Sequence, residues 1–255
     1  KYGMNLPLVY GQHPATTFYI YSACDSDYFD QFAVPFFRSA QINAGVPVHL
    51  HIFNPRQDQL ALCAKHGVST TWEEIKQEQF VDAAQLLLET AGEPLRRTQV
   101  AMSKGGDTEL VQRILKTYYA CARFIRLADI FDGAVFACDI DAVVRKPILE
   151  LKDRDFYLHQ IFGKKARFLA GGLYLNSDVF LKQYAKELQH SIEQNRLYWS
   201  MDQDLLDPLV PQYNYGQLPM ELIDWEMRTG SVIWTAKGTR KDLAVFKQEQ
   251  TKYAA

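Results

Sequence analysis

Paired carboxylates are the residues of this sequence whose types and spacing could most directly support chemistry. Four Asp-x-Asp triplets occur: Asp25/Asp27, Asp139/Asp141, Asp153/Asp155 and Asp202/Asp204. Most such triplets are solvated turns, and that explanation suits Asp153/Asp155. Asp139 and Asp141 differ because they directly follow the apolar segment 134–138, which predicts a buried strand. Ligands bind at the carboxyl ends of strands in open α/β sheets, and two neighbouring carboxylates there favour Mg²⁺ or Mn²⁺.

Basic side chains on the preceding helix support this interpretation. Apolar spacing predicts a helix over residues 108–130, and four polar residues three or four positions apart share one of its faces: Lys116, Tyr119, Arg123 and Arg126. A basic face beside a bound metal would suit a pyrophosphate-linked donor. A solvated face explains Arg126 equally well. It explains Arg123 less well, because this residue has apolar neighbours, so we expect Arg123 to face the donor.

The elements that must position these residues alternate in type. The sequence predicts strands at 16–22 and 46–53, each followed by a helix, which is the opening of a parallel α/β fold. The later predicted strands 156–161 and 169–175 have no helix between them, so the sheet should be mixed. Glycines and a proline predict a loop over 91–107. We therefore expect an α/β fold with an open, mixed and mainly parallel sheet flanked by helices.

Composition excludes several functional classes. The formal net charge is −2, which is not that of a general nucleic-acid or membrane binder. No apolar run approaches the roughly 18 residues that span a bilayer, and no signal peptide is visible. The four cysteines form no CxxC pair and lie in apolar segments: Cys24, Cys63, Cys121 and Cys138. We therefore expect free thiols and a cytoplasmic location.

A single domain is expected over residues 1–255, because no linker is long enough to separate two domains. Residues 1–15 contain prolines and glycines and are interpreted as a lead-in. The first residue is Lys1 rather than Met, which is compatible with excision from a longer, multidomain chain.

Several segments together resemble a known enzyme family. Residues 119–124 (YACARF) and 130–144 (IFDGAVFACDIDAVV) resemble the GT-A fold glycosyltransferases. The resemblance is greatest to glycosyltransferase family 8, which includes glycogenin and bacterial lipopolysaccharide galactosyltransferases. That family pairs an “AR-apolar” helix with a strand that ends in “DxDxxV”, and its “DQDxL” motif is matched closely at 202–206. Looser matches extend the resemblance along nearly the whole chain: 23–28, 167–176 and 237–241.

The resemblance implies a role for each matching residue. Asp139 and Asp141 would hold the metal, Mn²⁺ or Mg²⁺. Asp202 and Gln203 would be catalytic residues in the sugar pocket, with the Gln203 amide beneath the reacting carbon, which implies retention of configuration. These carboxylates and the remaining matches would contact the nucleotide-sugar: Cys24, Asp25, Asp27, Tyr28, Arg123, Ile140, Ala170, Gly171, Gly238 and Lys241. About 16–150 would then be the nucleotide-binding half, and about 151–255 the sugar and acceptor half.

The sequence departs from the family pattern at three places. Thr235 stands where the family has a metal-binding His, which leaves two protein ligands for the metal. Leu169 stands where the family has a sugar-binding Asn. Residues 241–243 (KDL) replace the family's “KPW”. These departures make the relationship distant.

The function expected from these observations is metal-dependent transfer of a sugar from a nucleotide-sugar, a UDP-sugar by the resemblance. The acceptor would be a glycan or a lipid-linked saccharide. One alternative is a non-catalytic nucleotide-sugar-binding domain of the same fold, which the missing His leaves open. Another is a metal-dependent nucleotidyltransferase, although the turn 23–28 lacks the Gly, Lys and Arg of the loop that such enzymes use. Inversion of configuration would instead need a carboxylate base, for which Asp224 and Glu226 are the candidates.

Histidine and tryptophan give weaker signals. His49 and His51 alternate on the predicted strand 46–53, where an unpaired strand face explains them better than a metal site. Tryptophans are more often core residues than sugar platforms. Trp199 and Trp225 have polar neighbours and are the two candidates for the rim of an acceptor site.

Overall fold

The computed structural model describes residues 3–163 and 167–254. The strands within these ranges are β1 (Tyr10–Gly11), β2 (Phe18–Asp25), β3 (Val48–Phe53), β4 (Ser69–Glu73), β5 (Ala134–Cys138), β6 (Ala142–Val144), β7 (Phe156–Ile161), β8 (Arg167–Leu175), β9 (Tyr215–Gln217), β10 (Ile223–Asp224) and β11 (Ile233–Thr235). The α-helices are α1 (Ser26–Tyr28), α2 (Val34–Asn43), α3 (Gln57–Lys65), α4 (Val81–Thr90), α5 (Gly92–Gly105), α6 (Leu110–Ile130), α7 (Val179–Glu193), α8 (Met201–Leu209) and α9 (Ala244–Thr251). In the described parts of the chain, no helix has the length and apolarity that a membrane span requires.

Two sheets organise the described residues. The larger sheet has the strand order β1-β4-β3-β2-β5-β8-β7-β9. Its central strands β4, β3, β2 and β5 run parallel, whereas β8 runs antiparallel to both β5 and β7. The smaller sheet has the order β10-β11-β6. The predicted α/β fold with an open, mixed and mainly parallel sheet flanked by helices is therefore confirmed.

The central strands are buried because other elements pack against both faces of the sheet. All residues of β3 are buried, and β5 is buried from Val135 onward, as expected for strands that helices cover on both sides. One apolar core joins the sheet to α4, α6 and α7. The other joins it to α2 and to the smaller sheet. Strands β5 and β7 have the bounds that the sequence predicted.

The prediction of a loop over 91–107 is wrong, because most of this segment forms the helix α5. Its glycines lie at the two ends of the helix, where Gly106 has a φ of 70° and ends it. Only glycine adopts this left-handed conformation readily, and it is common just after a helix. Pro94 lies in the first turn, where its missing N–H has no helical partner to lose. Glycine and proline here mark helix ends rather than a loop.

The alternating histidines of β3 also differ from the prediction. His49 and His51 are fully buried and hydrogen-bond to side chains of β4, which the sequence did not predict. The nitrogen Nε2 of His49 lies 3.0 Å from Oγ1 of Thr71, and Nε2 of His51 lies 3.1 Å from Oε2 of Glu73. The strand face is therefore paired rather than open.

Candidate functional site

The carboxylates Asp139 and Asp141 lie between the end of β5 and the start of β6. Asp139 follows β5, and its N–H donates to the carbonyl of Gly171 in β8 at 3.3 Å. The carbonyl of Asp141 accepts a hydrogen bond from the N–H of Ala236, just after β11, at 2.7 Å. The backbone therefore fixes both residues at the carboxyl edge of the sheet, as the sequence predicted.

The two carboxylates have different surroundings. The Asp139 side chain is 36% exposed, whereas that of Asp141 is only 9% exposed. Burial, together with the charge of Asp139, raises the pKa of Asp141 to about 6, although Lys241 opposes this shift. The oxygen Oδ1 of Asp141 is buried and has no hydrogen-bond partner among the described residues. This oxygen would be stabilised by a cation.

Arg123 connects Asp139 to the motif that opens α8. Its guanidinium pairs with Oδ1 of Asp139, and its NH2 group lies 3.2 Å from Oδ2 of Asp202. Burial raises the pKa of Asp202, and the positive charge of Arg123 lowers it. The guanidinium is held in turn by α6, because its Nε–H donates to the carbonyl of Ala120 at 2.9 Å. Arg123 thus faces the carboxylates rather than open solvent.

The predicted basic face of α6 is not one surface. Lys116 pairs with Asp107 at 2.5 Å, and Arg126 is buried and pairs with Glu73 at 2.5 Å. Tyr119 stacks on Phe53, with a ring-centroid distance of 4.5 Å. Of the four residues that share the helical spacing, Arg123 alone contacts the carboxylate site. The helical spacing of these four residues could not show their partners.

Lys241 is the second cation of the site. Its Nζ lies 3.3 Å from Oδ2 of Asp141 and also contacts the hydroxyl of Tyr28. The ammonium lies 4.5 Å from the centroid of the Tyr28 ring. Gly238, with a φ of 68°, begins the short 3₁₀ turn that carries Lys241. Lys241, in the chain's last predicted motif, therefore links Tyr28 of the first predicted turn to Asp141.

The predicted turn at 23–28 contains residues that differ in exposure and in hydrogen bonding. Asp25 caps α1, since its Oδ1 accepts from the N–H of Tyr28 at 2.8 Å, and burial raises its pKa. Asp27 is exposed. The side chains of Cys24 and Ile140 are buried in the core, so either could offer a ligand only its backbone.

The sugar-pocket residues predicted on β8 adjoin Asp139. A Cβ atom added to Gly171 would lie 3.2 Å from Oδ2 of Asp139, so glycine makes room for this carboxylate. Ala170 is buried beside it. Leu169, at the position of the family's sugar-binding Asn, is also buried.

The motif at 202–206 is fixed by contacts that sequence reasoning missed. Ser200 precedes it with a φ of 65°, an uncommon backbone conformation for a non-glycine residue. Asp204 does not join the site, because it pairs with Arg97 of α5 and with Arg167 of β8. Asp202 is buried, whereas Gln203 is half-buried and its amide has no hydrogen-bond partner in the described part of the chain. An available amide in the first turn of α8 could contact a ligand.

Trp199, a candidate for the rim of an acceptor site, contacts the two helices α5 and α6. Its backbone N–H donates to Oγ1 of Thr98 at 3.0 Å, and the guanidinium of Arg113 lies 4.6 Å from its ring centroid. Helix α5 therefore holds the segment that leads into Asp202. The signal that could have identified α5 was its end glycines combined with the helical spacing of Leu95, Thr98 and Met102.

The side chains at this site with oxygens suited to a metal are those of the two carboxylates, Asp139 and Asp141. Among the described residues, no group of three or more His, Cys, Asp or Glu side chains could hold a metal. Thr235 is buried and lies in β11 opposite Ala142, and it carries no imidazole that could replace the family's metal-binding His. A pair of adjacent carboxylates with one unpartnered, buried oxygen nevertheless has the oxygen chemistry that Mg²⁺ and Mn²⁺ prefer.

Comparison with known proteins shows the fold. No protein-family model and no curated protein sequence matches this chain. The structure of the galactosyltransferase LgtC, in complex with donor and acceptor sugar analogs, is similar with a TM-score of 0.55 and 11% identity, over 92% of this chain and 96% of that chain. The glycosyltransferase GlyE from Streptococcus pneumoniae TIGR4 is similar with a TM-score of 0.55 and 13% identity, over 91% of this chain and 59% of that chain. The chain thus has the GT-A fold that its sequence motifs predicted.

Proposed function

We propose that this protein is a glycosyltransferase that transfers a sugar from a UDP-sugar to a hydroxyl group of a glycan or lipid-linked saccharide, with retention of configuration. The observation that carries the proposal is the convergence of Asp139, Asp141 and Asp202 with Arg123 and Lys241 at the carboxyl edge of the sheet. LgtC and GlyE, two of the similar structures, are glycosyltransferases, which supports the reaction class. The four buried free cysteines favour a reducing, cytoplasmic setting.

Asp139 and Asp141 are the residues that would hold a divalent ion. Such an ion, when bound, supplies positive charge to the departing diphosphate. Lys241 lies beside Asp141 and would add a second positive charge at the same phosphates. Tyr28, which contacts Lys241, lies in the turn proposed to bind the nucleotide.

The sugar would lie between Gly171 and the first turn of α8. Arg123 holds Asp202 in place, and its carboxylate oxygens can accept hydrogen bonds from sugar hydroxyls. The unpartnered amide of Gln203 would stabilise positive charge that develops at the reacting carbon as its bond to the diphosphate breaks. This arrangement needs no covalent intermediate on the protein.

The test is calorimetric binding of UDP with and without Mn²⁺. We expect binding to require Mn²⁺ in the unaltered protein and to be lost in Asp139→Asn. Asp153→Asn is the matched control, because it alters an exposed Asp-x-Asp triplet outside the site. Metal-dependent UDP affinity that is equal in both variants would refute the assignment.

A second candidate function is a nucleotide-sugar-binding domain without turnover. It is favoured by one observation: Asp139 and Asp141 each already have a cationic partner, and Thr235 provides no third ligand. This candidate predicts UDP-sugar binding without hydrolysis or transfer. Slow, Mn²⁺-dependent hydrolysis of any UDP-sugar in a panel would exclude it.

A further inference from the structure

An aromatic and cationic cluster borders the proposed active site without belonging to it. The Nζ of Lys237 lies 5.7 Å from the centroid of the Trp225 ring. The ring of His159 lies edge-on to Trp225, with a centroid distance of 5.4 Å and an interplanar angle of 80°. Trp225 is half-buried, Lys237 is exposed and His159 is buried. The three residues, called the Trp225 cluster below, come from three separate segments of the chain.

The Trp225 cluster is close to the carboxylates because the same strands support both. Lys237 directly follows Ala236, whose N–H donates to the carbonyl of Asp141. On the other side, Gly171 adjoins Asp139, and the next residue, Gly172, adjoins the side chain of Ile223. The carbonyl of Ile223 is in turn 3.1 Å from Nε2 of His159. The strands β8 and β11 therefore support both the carboxylates and the Trp225 cluster, and Lys237 is the member whose neighbour in the chain hydrogen-bonds to Asp141.

Two polar groups of the cluster have no partner among the described residues. The ammonium of Lys237 makes no ion pair and no hydrogen bond there, in contrast to Lys241, which pairs with Asp141. The Nδ1 atom of His159 is buried without a partner. Burial, and to a lesser extent Lys237, lowers the pKa of His159, so the ring is neutral. Since the Nε2–H of His159 donates to the carbonyl of Ile223, Nδ1 is an acceptor. It is enclosed by protein, so the members of the cluster that a ligand could reach are Trp225 and Lys237.

The nearby acidic groups do not neutralise Lys237. Asp224 is fully buried, and its oxygens accept hydrogen bonds from the hydroxyl of Ser231 at 2.6 Å and from the backbone N–H of Glu226 at 2.8 Å. Glu226 itself pairs with Arg228. The accessible charge beside the Trp225 ring is therefore the positive charge of Lys237.

We propose that Trp225 and Lys237 form a subsite for an acceptor saccharide that carries an anionic group, either a carboxylate or a phosphate. The inference rests on the proposed glycosyltransferase function and names the acceptor class. The apolar face of the sugar ring packs on Trp225, as aromatic side chains of this kind pack against saccharides. The anionic substituent accepts charge-assisted hydrogen bonds from the ammonium of Lys237.

The experiment measures binding of three small probes by saturation-transfer NMR, in the presence of UDP and Mn²⁺. The probes are methyl glucoside, methyl glucuronoside and methyl glucoside 6-phosphate, so the last two distinguish a carboxylate from a phosphate. We expect at least one anionic probe to bind about tenfold or more tightly than the neutral one, the effect of one charge-assisted hydrogen bond. Lys237→Gln should remove this preference, and Trp225→Ala should weaken all three probes, whereas Trp225→Phe retains part of the binding.

The control variant is Lys186→Gln, which removes an exposed lysine of α7. UDP binding is measured in every sample, so the two proposals fail separately. If UDP binds but the neutral probe binds as tightly as both anionic ones, or if Lys237→Gln keeps the preference, the subsite is refuted and the donor site stands. If UDP does not bind to the unaltered protein, both proposals fail.

Discussion

Removal of the Arg123 guanidinium should destabilise the fold as well as the donor site. Arg123 is the cation that pairs with the buried carboxylate of Asp202 and with Asp139. Taking one partner from a buried ion pair leaves an uncompensated charge, which costs about 3–5 kcal/mol. We therefore expect Arg123→Met to lower the free energy of unfolding by about that amount, and the melting temperature by roughly 6–20 °C for a chain of this size.

A second variant shows whether Asp202 is the cause. If the lost stability comes from its unpaired charge, Asp202→Asn in the Arg123→Met background should restore much of it, and the two changes should be strongly non-additive. Urea unfolding followed by circular dichroism, at pH 8, gives the four free energies of the cycle. Arg96→Met is the matched control, since Arg96 forms an exposed pair with Glu93 three residues away, and its removal should leave the unfolding midpoint unchanged.

The opposite result would show that Arg123 is only a donor contact. An unchanged unfolding midpoint in Arg123→Met, together with lost Mn²⁺-dependent UDP binding, would refute the reasoning from the buried pair. That result is what the sequence alone favours, because a basic residue on a helix face is expected to contribute little to stability.

Three further changes test other parts of the structure. Burial lowers the pKa of His49 to about 3, below its value in the unfolded chain, so stability is full above pH 6.5 and falls by about 2 kcal/mol between pH 7.5 and pH 5. Urea titrations should show a smaller loss of unfolding free energy with falling pH in His49→Gln than in the unaltered protein. The exposed His190→Gln should lose as much as the unaltered protein. Equal losses in the two variants would contradict this. In Gly171→Ala, the added Cβ would crowd Oδ2 of Asp139, so the Kd of UDP with Mn²⁺, measured by calorimetry, should rise about 10- to 100-fold at unchanged stability. Gln203→Ala should lower the turnover of UDP-sugar hydrolysis by roughly 10²–10³-fold with little change in donor affinity. Proton NMR of the product at early times should show the retained anomer in the unaltered protein. An inverted anomer would redirect the search for a base to Asp224 and Glu226.

The sequence best predicted the elements whose buried residues are apolar. Strand β5 was located with its observed bounds because an uninterrupted apolar run precedes Asp139 and a turn precedes the run. Strand β4 was missed for the converse reason. Its residues Ser69, Thr71 and Glu73 point polar side chains toward buried partners on β3, so the strand lacks the apolar pattern of a core element. A pattern of residue types cannot show that buried polar groups satisfy each other across a pair of strands.

The sequence indicated where the candidate site lies along the chain, but not which cation pairs with which carboxylate. The resemblance to a family and the location after the predicted strand 134–138 grouped Asp139, Asp141 and Asp202 in one proposed site, and in the structure Arg123 joins Asp139 to Asp202. Which cation meets which carboxylate depends on distances between segments far apart in sequence, such as the 79 positions between Arg123 and Asp202. Helical spacing alone treated Lys116 and Arg126 as equivalent to Arg123, although each has its own carboxylate.

The balance of charge at the site favours a role for a divalent ion even though both carboxylates have cationic neighbours. Three carboxylates converge there, those of Asp139, Asp141 and Asp202, and within residues 3–163 and 167–254 the cations that pair with them are Arg123 and Lys241. One negative charge therefore remains, and the unpartnered Oδ1 of Asp141 identifies where it is least stabilised. A nucleoside diphosphate adds more negative charge and would be repelled by this arrangement. A divalent ion between Asp139 and Asp141 would reverse the sign of the site, so donor binding should depend on the metal more steeply than on either protein cation.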